Sequence, residues 1–253
     1  MIKIGVAGVS EQEIPELVLN NIFAGEVEFV RQIYLTNEKA KILGQAANWK
    51  NFDLSIHAPY FINLNSEKKD IVHASKERIL SSCERAHNMG AKNVVFHPGY
   101  YGERGKLETY ENIKQRILEM QEVITEKKWN VKLCPETMGK INVFGSWEET
   151  KELVKQTGCG FCMDFAHMKA RNFGDIDFED YVKKIKKFKH VHCHYSGIHW
   201  TDKGEKNHEL VDMKEAKELL SLLVKHKVNC TIICESPDSF GDVLKMNKIL
   251  AKI

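Results

Sequence analysis

The sequence predicts a single-domain α/β protein of the (β/α)8, or TIM, barrel class, on three observations. Short apolar runs alternate with amphipathic stretches eight times along the chain. The apolar runs are nearly continuous, as expected of parallel strands covered on both faces. The length of 253 residues suits one such barrel, a fold that typically takes about 250. An open doubly wound sheet is the second architecture compatible with the alternation. No fixed-period repeat, low-complexity segment or composition shift divides the chain, so residues 1–253 are expected to form one domain.

The first unit pairs a strand over residues 2–9 with a helix over Gln12–Phe23, whose apolar face is Ile14, Leu17, Val18 and Ile22. A second strand is expected over Glu26–Ile33. The helix after it, Thr36–Trp49, has Thr36 placed to accept from the free amides of its first turn. Leu54–His57 is the third strand, and Ser66–Met89 is a long helix that stops at Gly90, where a left-handed cap costs a glycine little. Strands at Asn93–His97, Val131–Glu136, Gly160–Asp164, His190–His194 and Cys230–Glu235 then alternate with further helices. Those helices are Leu107–Lys128, Ser146–Gln156, Phe178–Lys187, Met213–Lys227 and Phe240–Ile253.

Composition narrows the setting. A hydrophobic content of 43% with 28% charged residues is that of a folded globular chain. No apolar run approaches the roughly 18 residues of a membrane span, and Met1-Ile-Lys-Ile-Gly-Val-Ala7 reads as a strand, not a signal peptide. A cytoplasmic location without membrane contact is therefore expected. Six of the seven cysteines lie in or beside strands, so reduced, buried thiols are expected. Cys159-Gly-Phe-Cys162 has a metal-pair spacing, but it has no second such pair and falls in a strand, which favours a core role. The net charge of +2 does not by itself point to a polyanionic partner.

Six consecutive strands end on residue types that bind metal: His57, His97, Glu136, Asp164, His194 and Glu235. In a barrel these ends ring one face, where active sites lie. His167 follows Asp164 by three residues, and His208 lies in the loop beyond His194. Buried carboxylates this close together would destabilise one another unless cations intervene. Imidazoles mixed with carboxylates suit Zn2+, with Mn2+ or Fe2+ as alternatives. Eight candidate ligands exceed the three or four that serve one ion, which points to two or three. Clustered ions suit in-line displacement at phosphorus. The loops of the same face carry Arg104, Lys106, Lys140, Lys169, Arg171, Lys203 and Lys206 among Tyr60, Phe61, Tyr100, Tyr101 and Trp200. That mixture suits a nucleic-acid backbone and a distorted base stack.

Taken together, His57-Ala-Pro-Tyr-Phe-Ile-Asn-Leu64, Phe96-His-Pro-Gly99, Pro135-Glu-Thr-Met-Gly139, Met163-Asp-Phe-Ala-His167, His194 and Cys234-Glu-Ser236 resemble the endonuclease IV family over nearly the whole chain. The resemblance implies a zinc-dependent phosphodiesterase of base excision repair, in a (β/α)8 fold with three zinc ions. Such an enzyme cleaves 5′ to an apurinic/apyrimidinic site and removes 3′ blocking groups, acting as a monomer on double-stranded DNA. By resemblance, His57, His97 and Glu136 hold one ion, and Glu136 bridges to a second held by Asp164, His194 and Glu235. His167 and His208 hold a third. Glu136 and Glu235 then carry the catalysis, Glu235 by orienting or deprotonating the nucleophile, and Tyr60 and Phe61 enter the DNA minor groove.

Where the family has Asp-Arg-His, this chain has Lys206-Asn-His208. Either Glu205 replaces the missing Asp or Lys206 binds phosphate. Ser196-Gly197 stands in place of Asn-Asp, and the first loop, Gly5-Val-Ala-Gly8, lacks the family's His. A single-metal sugar isomerase or epimerase of the related xylose-isomerase-like barrels is the alternative, since Glu136, Asp164, His194 and Glu235 match that set as well. His57, His97, His167 and His208 are surplus to it.

Overall fold

The computed structural model describes all residues, Met1–Ile253. Eight parallel strands form the barrel: β1 (Ile2–Ala7), β2 (Ala24–Glu28), β3 (Asp53–His57), β4 (Asn93–Phe96), β5 (Lys132–Pro135), β6 (Cys162–Asp164), β7 (Val191–Tyr195) and β10 (Cys230–Cys234). Their order is β5-β4-β3-β2-β1-β10-β7-β6. The ring closes between β5 and β6 through a bridge from Glu136 to Cys162 and a bond from the Thr137 N–H to the Cys162 carbonyl, 3.0 Å. A site carboxylate therefore sits on the seam.

The helices are α1 (Ile14–Leu19), α2 (Asn37–Trp49), α3 (Lys69–Met89), α4 (Lys106–Glu126), α5 (Trp147–Thr157), α6 (Phe165–Arg171), α7 (Phe178–Ile185), α8 (Met213–Lys225) and α9 (Ser239–Leu250). Thr36 caps α2 by accepting from the Lys39 amide. Gly90 ends α3 at φ 77°, as the sequence predicts. α5 starts with a reciprocal Ser146–Glu149 capping box, which satisfies two amides that a helix start leaves free.

Three departures from the expected pattern matter. The second strand runs over residues 24–28, where 26–33 was expected, because the chain leaves the sheet after Glu28. A short helix, α6, begins directly at β6, with Asp164 as its cap. Between β7 and α8, an antiparallel hairpin of β8 (Gly197–Thr201) and β9 (Gly204–Glu209) fills what reads as a loop.

Strand alternation sorts side chains into two sets. Val27, Ile56, Val94, Phe96, Leu133, Met163, Cys193 and Ile232 belong to one core of 54 buried residues shared with the helices. Val95, Cys134 and Cys162 form a separate three-residue cluster, as inward-facing residues should. Each of these three lies two residues before a site residue: His97, Glu136 and Asp164. The site is thus the next inward layer, at the C-terminal mouth of the barrel.

Candidate metal centre

Register places the ligands at one level. Asp164 pairs with His194 across β6 and β7, and Glu28 pairs with His57 across β2 and β3. Glu136 is the hub. Its side chain is fully buried, with His57 Nε2 at 3.3 Å and His97 Nε2 at 3.0 Å from Oε2. His167 Nδ1 at 3.2 Å and His194 Nδ1 at 3.1 Å face Oε1. Glu235 Oε1 lies 3.3 Å from His194 Nδ1.

Three donor sets follow, each with its ligand atoms within 4.8 Å of one another: His57, His97 and Glu136; Glu136, Asp164, His194 and Glu235; and His167, Glu205 and His208. All eight histidines and carboxylates proposed from the sequence converge here, and Glu136 joins two of the sets. Chemically, each set offers the three or four mixed N and O donors that suit Zn2+ and related ions. Asp164 Oδ2 provides a test of fit: it is buried with no hydrogen bond formed, its neighbour being His167 Nδ1 at 3.2 Å, an expensive arrangement for a carboxylate that a cation would relieve.

The surroundings of the rings prepare them as ligands. His57 Nδ1 faces the Ala58 carbonyl at 2.7 Å and His167 Nδ1 faces the Thr137 carbonyl at 3.0 Å. Carbonyls only accept, so both rings carry a proton on Nδ1 and turn Nε2 to a carboxylate, Glu136 for His57 and Glu205 for His167. Ser196 Oγ donates to the Gly197 carbonyl and lies 2.6 Å from His208 Nδ1, which fixes that ring in the same way. Ser196, which departs from the family pattern, therefore has a supporting role here.

Electrostatics follow from crowding. Burial raises Glu136, but His194 and His167 more than offset it and hold the carboxyl well below its usual range. Burial also raises Glu235, yet His194 brings it down to about 2. Asp164 is pushed up to about 7 by burial, with Glu136 and Glu235 adding to the effect against His167. His57 rises to about 9 because Glu136 outweighs the lowering by burial. Charge is shared unevenly here, as in sites where carboxylates compete for one volume.

The hairpin places Glu205, and not Lys206, beside His167 and His208. Glu205 Oε2 lies 3.4 Å from His167 Nε2, whereas Lys206 is exposed. In regular strands, residues three apart face opposite ways. Here the register slips, with His199 opposite Asn207 and Trp200 opposite Glu205, so Lys206 is an extra, bulged residue. The bulge changes the parity and lets Glu205 share a face with His208. The hairpin is tied down by the Glu205 N–H on the Gly139 carbonyl, 3.2 Å.

The basic loop residues divide. Arg171 donates to the carbonyls of Met138, Lys140 and Val143, so it braces the loop after β5. Arg104 pairs with Glu108 and Asn65, and Lys169 pairs with Glu215. Lys140, Lys203 and Lys206 remain exposed with no acidic partner. Tyr60 and Phe61 are 44% and 63% exposed, and the Tyr60 ring stacks on His97 at 5.5 Å, which places it at the rim of the centre. Cys159 and Cys162 are free and buried, as expected for core thiols.

Sequence reasoning missed three groups, Glu26 and His192, which are buried, and Glu28, which is half-buried. Glu26 and His192 lie beneath His194, and Glu28 lies beside His57, its carboxyl pushed up to about 7 by burial and by Glu235. The signal was present: two carboxylates two residues apart in a strand buried on both faces. Placing the strand two residues late, from 26, hid it by making Glu26 an entry residue.

A protein of Methanocaldococcus jannaschii described as uncharacterized is 35% identical over 257 residues, covering 94% of this chain and 92% of that one. A probable endonuclease 4 of Ureaplasma parvum is 30% identical over 159 residues, covering 60% of this chain and 50% of its own length. Among solved structures, endonuclease IV of Thermus thermophilus superposes with a TM-score of 0.70 at 17% identity, covering 100% of this chain and 99% of that one. A D-tagatose 3-epimerase-like protein superposes at 0.74 with 22% identity, covering 99% and 96%. Similarity to endonuclease IV is thus borne out, and the same fold also carries epimerases. Residues 24–249 match the family described as Xylose isomerase-like TIM barrel, and the chain belongs to that family.

Proposed function

We propose that this chain is a metal-dependent DNA repair endonuclease that hydrolyses the phosphodiester 5′ to an apurinic/apyrimidinic site and cleans blocked 3′ ends. One observation carries the reading: three donor sets converge at one mouth, two of them sharing Glu136, more than a one-ion isomerase uses. His57, His97 and Glu136 would hold one ion, Glu136, Asp164, His194 and Glu235 a second, and His167, Glu205 and His208 a third. When bound, Zn2+, or Mn2+ or Fe2+ in its place, supplies Lewis-acid stabilisation of the attacked phosphate and the leaving oxygen.

The chain's own residues do the rest. Glu235, held ionised down to about pH 2, would orient or deprotonate the attacking water, and so low a value suits it better to accepting a hydrogen bond from that water than to taking its proton. Tyr60 and Phe61 wedge into the minor groove beside the lesion. Lys140, Lys203 and Lys206 neutralise backbone phosphates and set the register of the duplex. No helix is long and apolar enough to cross a membrane; the reading has the chain act as a monomer on DNA in the cytoplasm.

A second reading, a single-metal sugar epimerase, is favoured by the quartet Glu136, Asp164, His194 and Glu235, which alone forms a complete one-ion site. The deciding experiment is incision of a labelled duplex bearing one synthetic abasic site, with metal content measured on the same preparation. Nicking 5′ to the site with a 3′-hydroxyl product and more than one ion per chain is expected. No nicking, with one ion per chain and turnover of a ketose panel, would replace this reading by the epimerase.

A further inference from the structure

His194 differs from the other rings of the centre. His57, His167 and His208 each turn Nδ1 toward a carbonyl or a hydroxyl, that of His167 lying also against Glu136 and Asp164. His194 is reversed: Nδ1 faces Glu136 and Glu235, and Nε2 faces Glu26 Oε1 at 2.8 Å. The second oxygen of Glu26 meets His192 Nε2, also at 2.8 Å. The Glu26 and His194 side chains are fully buried, and that of His192 is 3% exposed.

A carboxylate inside a barrel costs several kcal/mol unless each oxygen is compensated. Here His192 is hydrogen-bonded to one oxygen, and the other has the close approach of His194 Nε2, a 2.8 Å charge contact that does not meet hydrogen-bond geometry. We propose that Glu26 is the positioning residue of the centre: it holds the His194 proton on Nε2 and so presents Nδ1 to the ion, while His192 holds Glu26 in place. The proposal rests on His194 being a metal ligand, which the endonuclease and epimerase readings share, so it stands under either.

The proton assignment has physical content because His194 is flanked by carboxylates on both nitrogens and, unlike His167, whose Nδ1 also faces the Thr137 carbonyl, has no carbonyl to fix its tautomer. Without Glu26, Glu136 and Glu235 would draw the proton to Nδ1, and a ring with its proton on Nδ1 cannot ligate there. A carboxylate behind a ligating imidazole also raises its basicity. The donor atoms of Cys162, His192 and His194 lie within 4.8 Å of one another as well. An ion held by that trio would need the Nε2 lone pair and would displace the proton from Glu26, so it makes the opposite prediction.

The test reads the ring itself. In Zn2+-loaded protein labelled with 15N-histidine, two-bond proton–nitrogen correlations report which nitrogen of His194 bears the proton, with the ring assigned by its loss in His194→Asn. The expected result is a proton on Nε2 and a metal shift on Nδ1. A proton on Nδ1, or a metal shift on Nε2, would overturn the proposal. If neither nitrogen of His194 shifts with metal, the ligand assignment itself is wrong and the proposal goes with it.

Glu26→Gln adds an affinity readout. In chelator competition it should retain Zn2+ about 10–100-fold more weakly, while His192→Gln, whose amide still donates to Glu26, stays close to wild type. A folded Glu26→Gln protein with wild-type affinity and an unchanged His194 tautomer would reduce Glu26 to a buried group that merely satisfies its neighbours. If Glu26→Gln does not fold, the measurement on the wild-type ring decides alone.

Discussion

The two ends of this barrel make opposite uses of charge. The mouth packs carboxylates and imidazoles within about 3 Å of each other, nearly all buried. The floor, at the N-terminal ends of the strands, opens into a cavity of about 1160 Å³ lined by Lys3, Lys92, Lys132, Lys189 and His190 among others. Those side chains are largely exposed and solvated. The floor is the chemically quieter end. Solvated lysines cost little to hold there, whereas carboxylates buried together in the mouth must be compensated. The candidate site is recognised by groups whose burial demands a partner.

Four variants sharpen that contrast. Glu136→Gln should have the largest effect, because it removes the charge shared by two donor sets: turnover should fall by about 10²–10³-fold, as when a key transition-state stabiliser is lost, with less metal per chain. Full rate and full metal content would take Glu136 out of the centre. Glu205→Gln should cost about one ion per chain, since it leaves His167 and His208 a ligand short of the usual three or four. Unchanged metal content by elemental analysis would show that the bulged hairpin is not part of the centre.

Smaller effects belong to the rim and the floor. Replacing Tyr60 and Phe61 with Ala should weaken binding to an abasic duplex by about 1–3 kcal/mol per side chain if they contact bases, read by fluorescence anisotropy. Equal affinity would return both to ordinary surface residues. Lys92→Ala with Lys132→Ala at the floor should change stability by less than about 0.5 kcal/mol and leave turnover alone. A large loss of activity from that pair would break the distinction between the two ends.

Much of the centre was legible before the fold was known. His57, His97, Glu136, Asp164, His194 and Glu235 end successive apolar runs, and the barrel brings strand ends together whatever the loop details. His167 was legible because Asp164 and His167, three apart, fall at the start of one helix, with the Asp164 side chain accepting the His167 amide at 2.7 Å. Glu26 was not legible as a partner of His194, because the two are 168 positions apart and no local pattern relates them. The bracing role of Arg171 was not legible for the same reason: the carbonyls it braces lie about thirty residues upstream.

What the sequence by itself determined is the alternation of strands and helices and the kinds of residue at the mouth. Both are written in periodicity and in the chemistry of short segments, which depend on neighbours a few positions away. Only the tertiary structure decided which ring nitrogen faces which oxygen, that Glu205 rather than Lys206 joins His208, and that His194 is backed by a carboxylate. Those outcomes depend on register, on one bulged residue and on contacts across the barrel. They are set by steric fit and by the cost of leaving a buried charge unpaired, and neither quantity exists until the chain has closed on itself.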